Sequence, residues 1–338
     1  MGAPGLDSET WESTNLNNAA LCQGMTLVVP KMPKNEQGFS HCGTAKASDR
    51  YLISRIFILG TGLLGTSAGL AFRAAAGFTG SIVGWNRSPD QAQLALEMGA
   101  IDSIASDPIA AAKAAQVVLL CVPIYATLDF MEKLAPVLGP DHLVTDVGST
   151  KRVISEAGTR LFNTPERAGF LPGHPMAGKE RGGAALADAN LFRGAVWLFT
   201  DDPATLRSPQ GTQLVNDWRA LVQSIGSRTL DLDPARHDEL VAWVSHLPQF
   251  VATALSALLE EQVGAAPELK DVGGRALREM TRLGSSPFSM WRDIAHTNTE
   301  AVAFALQLLE QRLAHIRENL RSPELRDEFE QANKFRRD

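Results

Sequence analysis

His174, in Gly173-His174-Pro175-Met176-Ala177-Gly178, is the side chain of this sequence best suited to move a proton near neutral pH. It ends an apolar run, 169–174, that reads as a strand, and the Met-Ala-Gly turn after it keeps the ring outside regular pairing. An unperturbed histidine titrates near pH ~6.5, so a proton-accepting His174 is expected to lose activity below about that value. Ser149 lies in Asp146-Val147-Gly148-Ser149-Thr150-Lys151, after another apolar run. It either stands with the ligands at the carboxyl edge of a sheet or caps the following helix.

A second chemistry is written in glycine. Gly60-Thr61-Gly62-Leu63-Leu64-Gly65 follows one strand-like run directly and opens a helix-like one. Gly60 permits the tight turn, Gly62 lets backbone approach a pyrophosphate, and Gly65 lets helix and strand pack closely. The first helical N–H groups, at Leu63 and Leu64, then face the phosphates at the positive end of the helix dipole. About 20 residues on, an Asp or Glu would hold the 2′-hydroxyl of NAD. The chain has Asn86-Arg87-Ser88 there, an arginine and a hydroxyl suited to a 2′-phosphate, so NADP is preferred to NAD. Pro123 ends the run 116–122 beside the expected position of the nicotinamide ribose, and Cys121 before it reads as a small buried residue.

The elements that must hold these groups follow from periodicity. Apolar runs at 55–60, 81–85, 116–122, 143–146, 169–174 and 195–200 alternate with helical patterns such as 63–76 and 91–98. That alternation means βαβ units and a parallel sheet, with 228–233 a last strand. Beyond residue 234 the pattern becomes helical. Leu240, Val244, Leu247, Val251, Leu255, Leu258 and Leu259 form one stripe with a kink expected at Pro248, and Val302, Leu306, Leu309, Leu313, Ile316 and Leu320 form another. Apolar helix faces with so little to cover them suggest packing between subunits. The reading is an α/β chain: a Rossmann-type domain at 51–233 followed by an all-helical dimerisation and substrate domain at 234–338. Residues 1–50 lack periodicity and are expected to be a disordered extension.

The whole sequence narrows the partners. A net charge of -6 over 338 residues argues against nucleic acid or an anionic membrane surface. No uninterrupted apolar run reaches the roughly 18 residues of a membrane span. Three cysteines make no disulfide framework, so a cytoplasmic location is expected. No histidine or carboxylate spacing suits a metal. His237 and His296 read as polar-face helix residues without chemistry.

The ordered set GTGLLGTSAGLA, DVGSTK, GHPMAGKERGG, VSHLPQ and TRLGSSPFSMWRDI resembles the prephenate and arogenate dehydrogenase family over roughly 55–316. The resemblance implies oxidative decarboxylation of prephenate to 4-hydroxyphenylpyruvate, in tyrosine biosynthesis, by a homodimer using NAD(P). It implies that His174 hydrogen-bonds the ring hydroxyl of the substrate and that Ser149 lies between that hydroxyl and the nicotinamide. His246 becomes a second active-site histidine and Arg282 the holder of a substrate carboxylate. Glu180 and Trp291 line the same pocket. Asn86-Arg87 departs from the acidic residue of NAD-using members. Three alternatives stay open: arogenate as substrate, another NADP-linked dehydrogenase of the β-hydroxyacid type, and a dinucleotide-sensing binding protein.

Overall fold

The computed structural model describes residues 53–337; the expectation for 1–50 lies outside them. The apolar runs become β1 (Arg55–Leu59), β2 (Ser81–Trp85), β3 (Ser103–Ile104), β4 (Val117–Leu120), β5 (Leu143–Asp146) and β6 (Gly169–Leu171). They form one six-stranded parallel sheet in the order β3-β2-β1-β4-β5-β6. The chain reverses its direction of travel between β1 and β4, and ligands of such sheets bind at the carboxyl ends there. Continuous apolar strands are what a sheet covered on both faces requires, and Ile56, Phe57, Ile58 and Leu59 are fully buried. The covering helices are α1 (Leu63–Ala74), α2 (Pro89–Glu97), α3 (Pro108–Lys113), α4 (Ile124–Leu134) and α5 (Arg152–Phe162). Two-residue β3 is exposed and polar at Ser103, which hid it from the apolar pattern.

The run 169–174, expected as one strand, is split at Pro172. Without an N–H, Pro172 cannot continue the ladder. The chain leaves the parallel sheet after β6 and enters a second sheet as β7 (Gly173–Pro175), paired antiparallel to β8 (Val196–Phe199). Strand β9 (Arg228–Asp231) lies parallel to β8 on its other side. Helix α6 (Pro209–Ser224) buries Trp218 against Phe72 and Trp197, with ring centroids 5.2 and 6.3 Å apart. The split turns His174 away from the parallel sheet while its neighbour Gly173 still donates to Asp146 at the end of β5, at 3.1 Å.

The helical part comprises α7 (Pro234–Val241), α8 (Leu247–Val263), α9 (Leu269–Val272), α10 (Arg275–Thr281), α11 (Phe288–Thr297), α12 (Thr299–Glu318) and α13 (Glu324–Arg337). Helix α13 lay in no expected stripe, because its sequence is dominated by charge. The disturbance expected at Pro248 is a π-type turn over Ala242–His246, in which the Leu247 N–H reaches back to the Ala242 carbonyl. A wider turn accommodates the missing proline N–H and advances the register by one residue. Pro234–Val263 therefore forms one 30-residue helical run, whose best window has mean hydropathy 1.2, enough by length and composition to span a membrane. No single apolar run in the sequence is that long, and only 28% of this window is buried. The buried side chains along the run include the polar His237, Asp238, His246 and Gln249, whereas Val244 and Leu258 of the apolar stripe are exposed. The inward face of the run thus mixes these polar groups with Val241, Ala242 and Ala252.

Candidate active site

The glycine loop has the shape its spacing requires. Gly60 has φ +106°, a left-handed conformation, and a Cβ there would collide with the Cys121 carbonyl. A Cβ on Gly65 would collide with the Gly60 carbonyl, so the strand and α1 approach as closely as backbone allows. Gly62 differs, since a Cβ there would meet nothing within 4 Å. No side chain caps α1, which leaves the N–H groups of Leu63 and Leu64 facing the open side of the loop. This is a cradle for a pyrophosphate. The Cys121–Pro123 turn closes its flank, with Pro123 opening α4 and Cys121 buried enough to push its thiol far above the ordinary range.

At the end of β2, the Asn86 side-chain oxygen accepts the Ser88 N–H at 3.0 Å and sets the turn into α2. Ser88 precedes α2 without capping it through its hydroxyl, and Arg87 is exposed. A free hydroxyl, a free guanidinium and a helix N-terminus meet where a 2′-phosphate would lie. These residues fit the group, and no carboxylate among them repels it.

The histidines converge on α7. His174 is buried, with Nδ1 at 2.9 Å from Nε2 of fully buried His237. Nδ1 of His237 is in turn 2.8 Å from Asp238. The Asp238 carboxylate also accepts the backbone N–H of Lys151 at 2.7 Å and of Arg152 at 3.0 Å, and so caps α5 from another helix. Ser149 is thereby freed from the capping role left open for it. It lies half-buried in the same turn, between the fully buried partners Asp146 and Lys151, which form an ion pair. His246 reaches the cluster through Asn298, whose Nδ2 is 2.8 Å from the Asp238 carbonyl and 3.2 Å from His246 Nδ1.

Burial is the chief influence on these rings. Desolvation holds His174 well below the usual histidine value, helped by the positive charges of Lys151 and of His237 and His246 when protonated. Desolvation also lowers His237, against the pull of Asp238, and brings His246 to about 4. The acid limit of about pH 6.5 expected from an ordinary histidine therefore moves down. Lys151 is lowered too, with burial outweighing Asp146.

Arg282 pairs with Glu180; the arginine side chain is 60% exposed and the glutamate 29%. Trp291 packs edge-on against His246 at 5.8 Å, and its Nε1 is buried without a partner, as is Nε2 of His246. His237 is corrected from a solvent-face residue to a buried one, while His296 is exposed. Sequence reading also passed over Asp238, Lys151 and Asn298. The DVGSTK motif pointed at Lys151, but the pairing of His237 with a β7 histidine 63 residues away has no local signature.

A Rossmann sheet with a phosphate cradle, joined to helices that deliver a second histidine to its edge, defines a two-domain dinucleotide-binding protein. Two family profiles match: "Prephenate dehydrogenase, nucleotide-binding domain" over residues 68–230 and "Prephenate dehydrogenase, dimerization domain" over 233–334. The chain belongs to the prephenate dehydrogenase family. It is 33% identical over 250 residues to a prephenate dehydrogenase of Bacillus subtilis, covering 73% of this chain and 65% of that one. It thus spans about two thirds of the length of that relative. A Synechocystis arogenate dehydrogenase structure is 30% identical, covers 83% of this chain and 98% of its own, and has a TM-score of 0.66. The A. aeolicus prephenate dehydrogenase in complex with hydroxyphenyl propionate and NAD+ is 28% identical over 84% and 97% of the two chains, with a TM-score of 0.73.

Proposed function

We propose that this chain is a prephenate dehydrogenase, converting prephenate to 4-hydroxyphenylpyruvate in tyrosine biosynthesis. The observation that carries this reading is His174: a buried ring kept neutral at the sheet edge, in the segment that follows β6 and beside the Ser149 turn. In this reading residues 51–233 bind the dinucleotide and 234–338 complete the substrate pocket and the homodimer, in keeping with the dimerization-domain match. A cytoplasmic location is part of the reading, since three cysteines make no disulfide framework.

Gly60, Gly62, Gly65 and the N–H groups of Leu63 and Leu64 would hold the pyrophosphate, with Pro123 beside the ribose. Arg87 and Ser88 favour NADP over NAD. A bound nicotinamide ring supplies the acceptor for the hydride that leaves the hydroxyl-bearing carbon. His174 accepts the hydroxyl proton, and Ser149 orients that hydroxyl. As the carboxylate departs as CO2, its bonding electrons complete an aromatic ring, which drives the step forward, and the phenolate oxygen so formed takes the proton back from His174. Arg282 draws the dicarboxylate in, and its exposure suits a group that exchanges Glu180 for substrate. His246 and Trp291 close the inner wall. Orientation and proton acceptance are the protein's share of the chemistry.

Arogenate is the second reading, favoured by the likeness to the Synechocystis enzyme. Purified chain given each substrate with each cofactor, followed by absorbance of the reduced nicotinamide, tests both. Prephenate with NADP is expected to be fastest, and Arg87→Ala should lower kcat/KM for NADP about ten- to hundredfold while sparing NAD. Dinucleotide binding without turnover of either substrate would overturn the proposal and favour a sensor.

A further inference from the structure

We propose that Asp238, acting through His237 and Asn298, locks His174 and His246 in opposite neutral tautomers, making one a proton acceptor and the other a hydrogen-bond donor. Both oxygens of the Asp238 carboxylate already face backbone N–H donors, at Lys151 and Arg152, so Nδ1 of His237 is the donor in the 2.8 Å contact between them. A neutral imidazole has one N–H, so Nε2 of His237 carries a lone pair. Nδ1 of His174, 2.9 Å away, must then be the donor, which leaves the lone pair of His174 on Nε2. That nitrogen is the one not engaged by His237, and it is ready to take a proton.

The second arm starts from the main chain of the same residue. The Asp238 carbonyl can only accept, so the Asn298 atom 2.8 Å from it is the amide nitrogen. The same nitrogen lies 3.2 Å from Nδ1 of His246, which must therefore be the acceptor. The single proton of His246 is then on Nε2, an atom that is buried and meets no protein partner. A donor held there suits a carboxylate or carbonyl oxygen of the substrate, whereas the acceptor on His174 suits its hydroxyl. Opposite polarity across the pocket distinguishes the two ends of such a substrate. His237, Asp238 and Asn298 are positioning residues, since each acts through another ring.

This inference rests on the proposed proton-accepting role of His174, but its test does not depend on turnover. Long-range 1H–15N spectra of the full chain labelled at histidine nitrogen report directly which ring nitrogen carries hydrogen; His174→Ala and His246→Ala assign the signals. At neutral pH the wild type should show His174 protonated on Nδ1 and His246 on Nε2. His237→Leu removes the acceptor and should move His174 toward the Nε2–H form without changing His246. His237→Gln, which restores an acceptor oxygen, should return it. Asn298→Ala should perturb His246 alone. In parallel, kcat should fall at least about tenfold in His237→Leu and recover in His237→Gln. A wild-type His174 protonated on Nε2, or a His246 protonated on Nδ1, overturns the inference whatever the variants of His237 and Asn298 do. Tautomers as expected together with normal turnover by His174→Ala would leave the inference standing and remove the function it was meant to serve.

Discussion

A histidine that must accept a proton is useful only while it is neutral, and burial sets how far into acid that condition lasts. His174 is held well below its ordinary value by desolvation first, then by neighbouring positive charge. The pH profile of kcat/KM should therefore stay level as pH falls through about 6.5, with its acid limb lower. An acid limb at or above that value would mean that some other, ordinary histidine controls turnover. The same burial has a cost in stability. Below about pH 6.5 an unfolded histidine takes up a proton that folded His246 refuses until about 4. Stability is thus complete above the unfolded value and is lost as pH falls between the two. By pH 5 that loss is about 2 kcal/mol for one such ring, and thermal unfolding at pH 7.5 and 5 should show a fall in Tm that is smaller in His246→Phe. At this scale the sequence was partly legible. His174 stood out because proline and glycine framed it, but His237 did not, because its partner His174 comes from β7, 63 residues away, and only folding brings the two together.

Each element explains itself by what lies at its end. The glycine loop was readable because each glycine answers a local geometric demand, two of them steric and one open. The open one yields a clean test. At Gly62 an added side chain meets no protein atom and the backbone φ is negative, so Gly62→Val should fold with unchanged Tm. It would nonetheless fill the space a pyrophosphate needs, and the dissociation constant for NADP should rise about tenfold or more, measured by fluorescence titration. A fall in Tm with unaltered affinity would return the loop to a structural turn. The break at Pro172 was not anticipated. Its residues are apolar on both sides, so periodicity had no means of showing that two sheets share the run. Pro248 was read as a kink, but the π-type turn that realises it is a matter of register. That one added residue puts His246 on the inward face with Val241 and Gln249.

For the molecule as a whole, the long helical run departs from the usual amphipathic rule at several positions. Four of its polar side chains, His237, Asp238, His246 and Gln249, are buried, while Val244 and Leu258 of its apolar stripe are 65% and 55% exposed. Phe304 and Leu313 of α12 are exposed as well. A second copy is the cover consistent with the dimerization-domain match. Leu258→Glu should convert a dimer to a monomer in light scattering, whereas a monomeric wild type would contradict the assembly. The stripes were visible in the sequence, but which face of each helix meets its own chain was not, since hydrophobicity alone cannot tell a core from an interface. All these scales meet in one reaction, and one measurement addresses it most directly. That measurement is kcat for prephenate oxidation with NADP at neutral pH, in wild type and in His174→Ala. The wild type should form reduced cofactor and 4-hydroxyphenylpyruvate in equal amounts, with kcat lowered roughly 10²–10⁴-fold in the variant and cofactor affinity unchanged. A His174→Ala protein that turns over at close to the wild-type rate would contradict the assignment.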